Sequence, residues 1–536
     1  MKKMSIKRGS YYDSVFLMLA SRELKGLDGI ADAIVAMATP MNVELLAGLG
    51  YSAGELEGLG SNDLVVAVDA SNEEKADAAI SAAFSALAEK KTSSSKSGQA
   101  KAPSLAAAIK LEPDANLAIV SVPGIYAARE ARKALDAGLH TMVFSDNVSI
   151  EDEIELKRYA LSKGLLLMGP DCGTAFINGK PLCFANDVRR GPIGIVAASG
   201  TGLQEICCLV DRYGQGISQA IGTGGRDLKN PAIGGMTSLL ALEALAKDPE
   251  TKVIVVIAKP PAEETAAKVV DALRASGKLG VVHFLGAKAG QDEKRLAFAA
   301  NLEETALLAV LFASGSPDSA AARKLAGNAD TNSRYGRPEK TDLARLAAME
   351  AAKLGEEQRW LRGLFTGGTL ADEALFLAHE VLGGVSSNNQ TDPAWIVKDP
   401  LKSEGHCILD LGDDFFTSGK PHPMIDPAAR AERIEAEGDD PECAVLLIDC
   451  VIGYGSHDDP AGACVPVIRR AKAKAAKRGG SLPVIASVTG TDSDPQKRSA
   501  QINALEGAGA IVMPSNYHAA LLAIEIARLA RQGGNR

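Results

Sequence analysis

Small polar residues follow an apolar segment at residues 196–208, where the sequence reads VAASGTGLQEICC. Gly200 and Gly202 allow backbone angles that larger residues avoid, and Ser199 or Thr201 can cap a helix that begins at this turn. The free N–H groups of such a helix start bind anions, phosphate among them. The alternative is a tight turn with a capped helix and no ligand.

Similar clusters of Gly, Ser, Thr and Asp follow other apolar segments. They include Asp171, Cys172 and Gly173 in MGPDCGT, Gly224 and Gly225 in GTGGRDL, and Gly367, Gly368 and Thr369 in FTGGTL. Parallel strands present their carboxyl ends at one edge of the sheet, and ligands bind there. We therefore expect these residues, together with Ser199–Gly202, to bind phosphate or a small anionic substrate, largely through backbone groups.

Three ionisable residues are candidates for catalysis. Arg226 follows a Gly-Gly turn and can clamp a phosphate or a carboxylate with two parallel hydrogen bonds. The alternative for Arg226 is a surface salt bridge with Asp227, the second candidate. The third is His422 in GKPHPMIDP, which we interpret as a general base because imidazole titrates near neutral pH.

A metal site is a further interpretation of the segment around His422. Asp410, Asp413, Asp414 and Asp426 lie on either side of it, and carboxylates and imidazole both bind divalent cations. Carboxylates in loops more commonly face water or cap helices. We therefore predict no metal site.

The composition limits the class of protein. With 536 residues the chain is too long for one ordinary core, and 46% apolar with 23% charged residues is typical of a globular protein. The net charge of -9 is spread along the chain, which disfavours nucleic acid as a partner. No long apolar run or signal-peptide core is present, so we expect a cytoplasmic protein without a membrane segment. The eight cysteines form no C-x-x-C pair, so we expect reduced, mostly buried thiols.

Apolar strand patterns alternate with helix patterns along the chain, for example KVIVVIA before EETAAKVVDALRASG. This alternation predicts an α/β fold with several doubly wound parallel-sheet domains. Stretches rich in Ser, Lys and Gly predict two linkers. The predicted order is an N-terminal α/β domain at 1–92, a linker at 93–103, domains at 104–190 and 191–325, a linker at 326–358 and a C-terminal domain at 359–536.

Ordered sequence blocks resemble a known family. SVPGIYAAREARKALDAGLH, MGPDCGTAFINGKPLCF and GPIGIVAASGTGLQE are similar to the α subunit of succinyl-CoA synthetase and of ADP-forming acyl-CoA synthetases. CILDLGDDF and DPECAVLLIDCVIGYG are similar to the carboxy-terminal ligase domain of the β subunit. The order of the blocks, with FTGGTLADEA and GKPHPMIDP, resembles the FdrA family over nearly the whole chain. The resemblance implies a CoA-binding-like Rossmann-type domain at 104–190, a flavodoxin-type ligase-like domain at 191–325 and a ligase-CoA-like domain at 359–536.

The chain departs from the synthetases where these carry a phosphoryl group. Phe298 stands where the resemblance places the phosphorylated histidine, and Lys259 stands at or next to the glutamate that orients it. The nearest other histidine is His283, in an apparent strand. The blocks also include no ATP-grasp module and no Gly-rich first turn of the kind that accepts CoA.

The resemblance implies a carbamoyltransferase subunit of anaerobic allantoin metabolism that uses this scaffold without a phosphohistidine. Expected ligands are carbamoyl phosphate or another acyl phosphate and a small carboxylate, with oxamate and oxalurate as the example. Expected partners are other subunits of the same pathway and further copies of the chain, and no cofactor is assigned. The alternatives are an acyl-CoA synthetase, which needs CoA, ATP and an ATP-grasp partner, and a non-catalytic scaffold subunit.

Overall fold

The computed structural model describes residues 1–10, 12, 14–60, 63–93, 102–417 and 421–533. The chain forms two compact units, Met1–Ala108 with Thr417–Pro421, and Ile109–Phe416 with His422–Arg536. Most of the linker predicted at 93–103 lies outside the described residues, so it stays a prediction. Over the ranges described, no helix is long and apolar enough to cross a membrane.

The first unit contains a small antiparallel sheet. Its elements are β1 (Lys2–Lys7), α1 (Ser14–Lys25), β2 (Ile30–Met37), α2 (Pro40–Gly48), α3 (Ala53–Leu56), β3 (Leu64–Ala70) and α4 (Glu73–Ser93). The strand order is β1-β3-β2, with both pairs antiparallel. Because side chains alternate along a strand, Val66 and Val68 pack in one apolar cluster and Val65 and Ala67 in another. The sheet is therefore covered on both faces, although its strands are not parallel as predicted.

The second unit begins with a three-stranded parallel sheet. Its elements are α5 (Leu105–Leu111), β4 (Leu117–Val120), α6 (Gly124–Asp136), β5 (His140–Val143), α7 (Ile150–Ser162) and β6 (Leu167–Met168). The order is β4-β5-β6. Ala127, Ala131 and Leu135 recur at helical spacing on α6 and pack in the core of this part.

A seven-stranded sheet follows. Its elements are β7 (Thr174–Ile177), β8 (Lys180–Cys183), β9 (Arg190–Ala198), α8 (Gly200–Arg212), β10 (Ile217–Gly222), α9 (Met236–Lys247), β11 (Val253–Ala258), α10 (Glu263–Ala275), β12 (Leu279–Phe284), β13 (Leu296–Phe298) and α11 (Leu302–Ala313). The order is β13-β12-β11-β9-β10-β7-β8. The first five strands of this order are parallel, and the β7–β8 hairpin extends the sheet antiparallel.

The last part is a five-stranded parallel sheet of order β15-β14-β16-β17-β18. It is preceded by α12 (Ser319–Ala326), α13 (Ala329–Arg334) and α14 (Lys340–Ala351). Its own elements are β14 (Trp360–Phe365), α15 (Gly368–Leu382), β15 (Cys407–Asp410), α16 (Asp414–Thr417), α17 (Ala428–Asp439), β16 (Cys443–Val451), α18 (Pro460–Lys477), β17 (Val484–Thr489), α19 (Arg498–Gly507), β18 (Ile511–Met513) and α20 (Asn516–Gly533). The predicted α/β class with several parallel sheets is confirmed.

The segment 326–358 is not the flexible linker that its polar composition predicts. It contains α13 and α14, and Tyr335, Leu343 and Ala347 are buried in the main apolar cluster. The rings of Tyr213 and Tyr335 lie 4.8 Å apart, centroid to centroid. A few apolar side chains at helical spacing are enough to fold the segment against the core, because the rest of each short helix faces water.

Five strands of each large sheet share one topology. The orders β13-β12-β11-β9-β10 and β18-β17-β16-β14-β15 are the same when β9 is matched with β14 and the others follow in chain order. The helices after the matched strands are α8 and α15, whose first residues are Gly200 and Gly368. The second unit therefore contains an internal structural repeat, in which α8 and α15 are equivalent helices.

Two buried glutamates join the repeats, because each one caps the last helix of the other repeat. Glu205 of α8 accepts a hydrogen bond from the N–H of Asn516, the first residue of α20, at 3.2 Å. Glu373 of α15 accepts one from the N–H of Leu302, the first residue of α11, at 2.9 Å. Free N–H groups at a helix start favour a negative charge, so each contact stabilises a helix of the other repeat.

The first prediction concerns the charge on Glu373. Burial raises the pKa of this carboxyl from its ordinary value of 4.5 to about 7. The folded state therefore holds its proton more tightly than the unfolded state, and this contribution to stability is lost as pH rises through about 7. We expect the stability advantage of the wild type over Glu373→Gln to shrink between pH 5 and pH 8, measured by urea unfolding.

Glu380→Gln is the control, because Glu380 is exposed on the same helix. Its unfolding free energy should differ from that of the wild type by the same amount at both pH values. The prediction is wrong if Glu373→Gln also shows a constant difference.

Candidate functional site

The starts of α8 and α15 meet face to face. The hydroxyls of Ser199 and Thr369 lie 2.7 Å apart, and the Thr369 N–H donates to Thr201 Oγ1 at 3.3 Å. Ser199 occupies the residue before α8, but its side chain makes no capping bond to that helix. The predicted cap by Ser199 is therefore wrong, because its hydroxyl joins the two helices instead.

Glycine makes this close approach possible. A Cβ atom at Gly202 would lie 2.9 Å from Thr369 Cγ2 and nearer still to Ser199 Oγ, and one at Gly367 would lie 3.0 Å from Thr201 Oγ1. At Gly200, in contrast, the nearest atom would be Thr174 Oγ1 at 3.9 Å. Gly200 therefore faces open space, whereas Gly202 and Gly367 are needed for helix packing.

The start of α15 is occupied by the protein's own carboxylate. Asp449 of β16 accepts from the N–H groups of Thr366 at 2.9 Å and Gly367 at 2.8 Å, and it forms a 3.1 Å ion pair with Arg430. The N–H of Thr369 is bound by Thr201. The anion site predicted at Gly367, Gly368 and Thr369 is therefore largely filled from within.

The start of α8 differs at the equivalent position. Continuing the register of β14 and β16 by one residue places Phe365 next to Asp449. The equivalent of Phe365 is Ala197, which pairs with Ile257 of β11. Ile257 is therefore the equivalent of Asp449. Ile257 has no polar side-chain atom and is fully buried. Within the described ranges, the N–H groups of Gly200 and Thr201 donate to no protein acceptor. These groups form the open helix start.

The loop 169–173 and the loop 222–226 pack together near this start. Gly224 has a φ of 83°, and a Cβ atom there would collide with the carbonyl oxygen of Pro170. A Cβ atom at Gly225 would lie 4.0 Å from Asp171 Oδ2, and Asp171 is exposed. Gly173 is partly exposed with the Phe184 ring 3.9 Å from its Cβ position. Asp171, Gly173 and Gly225 are thus reachable from solvent.

Cys172 is not available to a ligand. Its thiol is buried, with Sγ 3.4 Å from the Gly222 carbonyl oxygen and 3.6 Å from that of Thr174. Burial raises the pKa of the thiol to about 12, so it is neither a nucleophile nor an anion ligand. The prediction that Cys172 binds substrate is not supported by this placement.

The two charged residues of GTGGRDL have different partners from those predicted. Arg226 forms an ion pair with Glu153 at 2.8 Å and donates to the Val148 carbonyl at 2.9 Å, rather than pairing with Asp227. Its side chain is 35% exposed, so one edge of the guanidinium still reaches solvent.

Asp227 is fully buried and structural. Its carboxylate pairs with Lys157 at 2.6 Å and accepts from the N–H of Ser238 at 3.0 Å, in the first turn of α9. A catalytic role for Asp227 is therefore contradicted by its burial, because no substrate reaches it.

His422 does not have the properties of a general base. Its Nδ1 accepts the N–H of Met424 at 3.2 Å, and its Nε2 would lie 2.5 Å from a Cβ atom at Gly412. Burial lowers its pKa to about 4. The prediction that His422 is a general base assumed a pKa near neutral, and that assumption is wrong.

The other sequence candidates lie apart from the helix starts. Phe298 ends β13 at the edge of the sheet, where its ring would contact a Cβ atom at Gly290. His283 is buried in β12, and its Nδ1 lies 3.0 Å from the Ala299 carbonyl oxygen. Among the described residues, no group of three or more His, Cys, Asp or Glu side chains is arranged to hold a metal ion.

A charged cluster that the sequence did not predict lies at the end of β11. Lys259 Nζ forms an ion pair with Asp372 of α15 at 2.8 Å. The Asn389 amide donates to Asp372 at 3.0 Å and to Asp410 at 3.3 Å, so it bridges the two carboxylates. Lys259 also interacts electrostatically with Asp171. The sequence signals were Lys259, noted at or next to the position of a family glutamate, and Asp410, named in the metal interpretation around His422.

Comparisons with known proteins agree with the architecture. A family described as CoA-ligase matches residues 364–526, and one described as AllF, heavy metal-associated domain, matches residues 1–103. An uncharacterized protein of Escherichia coli K12, YahF, is 45% identical over 98% of both chains. The α subunit of the ADP-forming succinate–CoA ligase of Aquifex aeolicus is 32% identical over 30% of this chain and 53% of its own length.

Solved structures with a similar arrangement include the dinucleotide-forming acetyl-coenzyme A synthetase 1 of Ca. Korarchaeum cryptofilum. It is 17% identical, with 78% of this chain and 84% of that chain covered and a TM-score of 0.28.

The heavy-metal description does not fit the donor atoms of the first unit. Residues 1–103 contain neither cysteine nor histidine. Thiolate and imidazole are the protein ligands that soft and borderline heavy metals prefer. We therefore assign no bound metal to this unit.

The second prediction separates the two glycines of α8. Gly202→Ala should lower the free energy of unfolding by about 1–3 kcal/mol, because the new methyl group forces α8 and α15 apart. Gly200→Ala should stay within about 0.5 kcal/mol of wild type, because its methyl group enters open space. Urea unfolding of both variants and the wild type tests this pair, and equal stability of the two variants would contradict it.

Proposed function

Because the chain belongs to the FdrA-like family of acyl-CoA synthetase-like proteins, as its full-length similarity to YahF and its CoA-ligase match establish, we propose that it transfers an acyl group between phosphate and a nucleophile. This is the acyl-transfer half of a CoA-ligase reaction. The observation that carries the proposal is the open start of α8, where no carboxylate accepts from the N–H groups of Gly200 and Thr201, whereas Asp449 accepts from Thr366 and Gly367 at the turn into α15.

The open helix start suits the phosphate of an acyl phosphate. A helix start favours negative charge, and the residues of α8 that follow Thr201 are buried. Negative charge builds up on the leaving phosphate during acyl transfer, so donors already in place at Gly200 and Thr201 stabilise that transition state. Arg226, Asp171, Gly173 and Gly225 line the proposed cleft for the remainder of the substrate.

The acyl phosphate is proposed to arrive ready-made or from a partner. Phe298 cannot accept a phosphoryl group, and Lys259 stands where the family resemblance places the glutamate that orients the phosphohistidine. An ammonium group beside Asp372 and Asp410 holds an anion more readily than it orients an imidazole. An ATP-grasp partner would have to make the acyl phosphate for a complete ADP-forming ligase.

Two acceptors are proposed for the acyl group. The thiol of CoA is the first, since succinate–CoA ligase and CoA-ligase are the descriptions of the matched protein and family. An amide such as oxamate, with carbamoyl phosphate as donor, is the second, and the AllF match of residues 1–103 favours it. For either reaction we propose a cytoplasmic, oligomeric assembly with further subunits. We also propose the domain boundaries given above, except for the linker at 326–358.

One experiment distinguishes the acceptors. The full chain, alone and with the products of neighbouring genes, is incubated with acetyl or succinyl phosphate and CoA, and separately with carbamoyl phosphate and oxamate. Phosphate release and acylated product are measured in each reaction. Acyl-CoA supports the ligase reaction, the carbamoylated amide supports carbamoyl transfer, and no product in either reaction rejects the proposed function.

The third prediction tests the phosphate site. Gly200→Val fills the space in front of the open helix start, and residue 200 does not have the positive φ that would add backbone strain. We expect inorganic phosphate and carbamoyl phosphate binding, measured by calorimetry, to fall at least about tenfold while unfolding stays cooperative. Gly507→Val is the control, because Gly507 also faces open space but lies at the end of α19. Unchanged binding by a folded Gly200→Val protein removes phosphate from this turn.

The fourth prediction concerns phosphorylation of the chain. Incubation with labelled ATP or GTP should leave no acid-labile phosphohistidine, because Phe298 replaces the acceptor. Acid and alkaline stability of any bound label, followed by mass spectrometry, provides the measurement. A stoichiometric phosphohistidine on this chain would contradict the direct use of an acyl phosphate.

A further inference from the structure

The internal repeat shows which charges the fold does not need. Asp372 is the fifth residue of α15, and the fifth residue of α8 is Gln204. Asp410 pairs with Phe365 on β14, and its equivalent Gly222 pairs with Ala197 on β9. These two acidic positions thus have uncharged counterparts in the same architecture.

Lys259 follows the same pattern. It comes two residues after Ile257, and the residue two after the equivalent Asp449 is Val451. Lys259 of the first repeat and Asp372 and Asp410 of the second therefore form a charged cluster between the repeats. The equivalent positions hold valine, glutamine and glycine. We name these three residues the asymmetric cluster.

Burying the asymmetric cluster costs free energy, and hydrogen bonds fix its two carboxylates. Asp372 is 6% exposed and Asp410 is 8% exposed, and removing carboxylates from water costs free energy that a neutral side chain avoids. Asn389 bridges both carboxylates, and the Gly412 N–H donates to Asp410 at 2.8 Å. Since the equivalent positions of the same architecture are uncharged, we attribute these charges to chemistry rather than to stability.

The cluster also lies at the start of α15, beside the open start of α8. A Cβ atom at Gly368 would lie 2.5 Å from Asp410 Oδ2 and 3.5 Å from Lys259 Nζ, so glycine is what admits both groups. Lys259 remains 34% exposed and interacts electrostatically with Asp171, which is exposed. Solvent therefore reaches the cluster at Lys259.

We propose that Asp410 accepts the nucleophile's proton during acyl transfer and that Lys259 stabilises the negative charge of the departing phosphate. Asp372 positions Lys259. The inference rests on the proposed function. The thiol or amide nucleophile attacks the acyl carbon, and the bond from that carbon to the phosphate oxygen breaks, with its electron pair going to phosphate. The nucleophile's proton passes to the Asp410 carboxylate, and the Lys259 ammonium stabilises the charge on the departing phosphate.

The electrostatics of the cluster suit these roles. Burial raises the pKa of Asp410 to about 6, although the Lys259 charge opposes it, so the carboxylate is a base near neutral pH. Burial alone would lower the pKa of Lys259, but the charges of Asp372 and Asp410 more than offset it and raise the pKa. Lys259 therefore keeps its proton while Asp410 exchanges one.

The fifth prediction is the pH profile of acyl transfer with the active donor and acceptor identified above. The wild type should gain activity as pH rises through about 6, because Asp410 must lose its proton. Asp410→Asn should lower kcat by about 100-fold or more and remove that dependence. Lys259→Met should raise KM for the acyl phosphate and lower kcat, and Lys259→Arg should restore part of both.

Val451→Ala is the matched control, because Val451 is the uncharged equivalent of Lys259 at the end of β16. It should keep the pH profile and KM of the wild type. If Asp410→Asn and Lys259→Met are active with an unchanged profile, the inference is wrong and the proposed function survives. If the wild type transfers no acyl group at all, both are wrong.

A double variant covers the case in which one unpaired charge prevents folding. Lys259→Met with Asp410→Asn removes both members and relieves the buried imbalance that either single change creates. A double variant that unfolds cooperatively and transfers no acyl group supports the inference. A folded double variant with wild-type kcat overturns it.

Discussion

The reciprocal capping by Glu205 and Glu373 is the constraint on which the rest of the second unit depends. Each carboxylate is fully enclosed and binds the first N–H of a helix that belongs to the other repeat. A buried carboxylate without such donors would be strongly destabilising, so the two repeats have to dock in one register. That register brings the starts of α8 and α15 together, and with them every group proposed to act on substrate.

Function in this architecture comes from the places where the repeats differ. Two equivalent helix starts would bind equivalent anions. Asp449 occupies the start of α15, whereas the equivalent residue beside α8 is Ile257, which has no carboxylate. Lys259 and Asp410 are a second difference, since the equivalent residues in the internal repeat are Val451 and Gly222. A symmetric scaffold thus acquires an asymmetric centre through a few side chains at strand ends, without a change in backbone topology.

The sequence predicted the parallel sheets and the strand-end turns because both depend on local patterns, such as the apolar run before SGTG. It did not predict the partners of Ser199 or Arg226, which come from residues far away in the chain. The role of His422 was misjudged because its ordinary pKa says nothing about burial. Asp449 and Asp372 were missed as site groups, and Asp410 was considered only as a metal ligand, since their significance lies in comparison with the equivalent residues of the internal repeat.

The span of the reciprocal contacts has a consequence for biosynthesis. Glu373 lies 71 residues after its partner Leu302, but Glu205 lies 311 residues before Asn516. On the ribosome the α8 carboxylate is made long before the helix start that caps it, because α20 is the last helix that the structure describes. Contacts this distant in sequence form slowly. During synthesis, α20 can therefore cap Glu205 only after the second repeat has been translated.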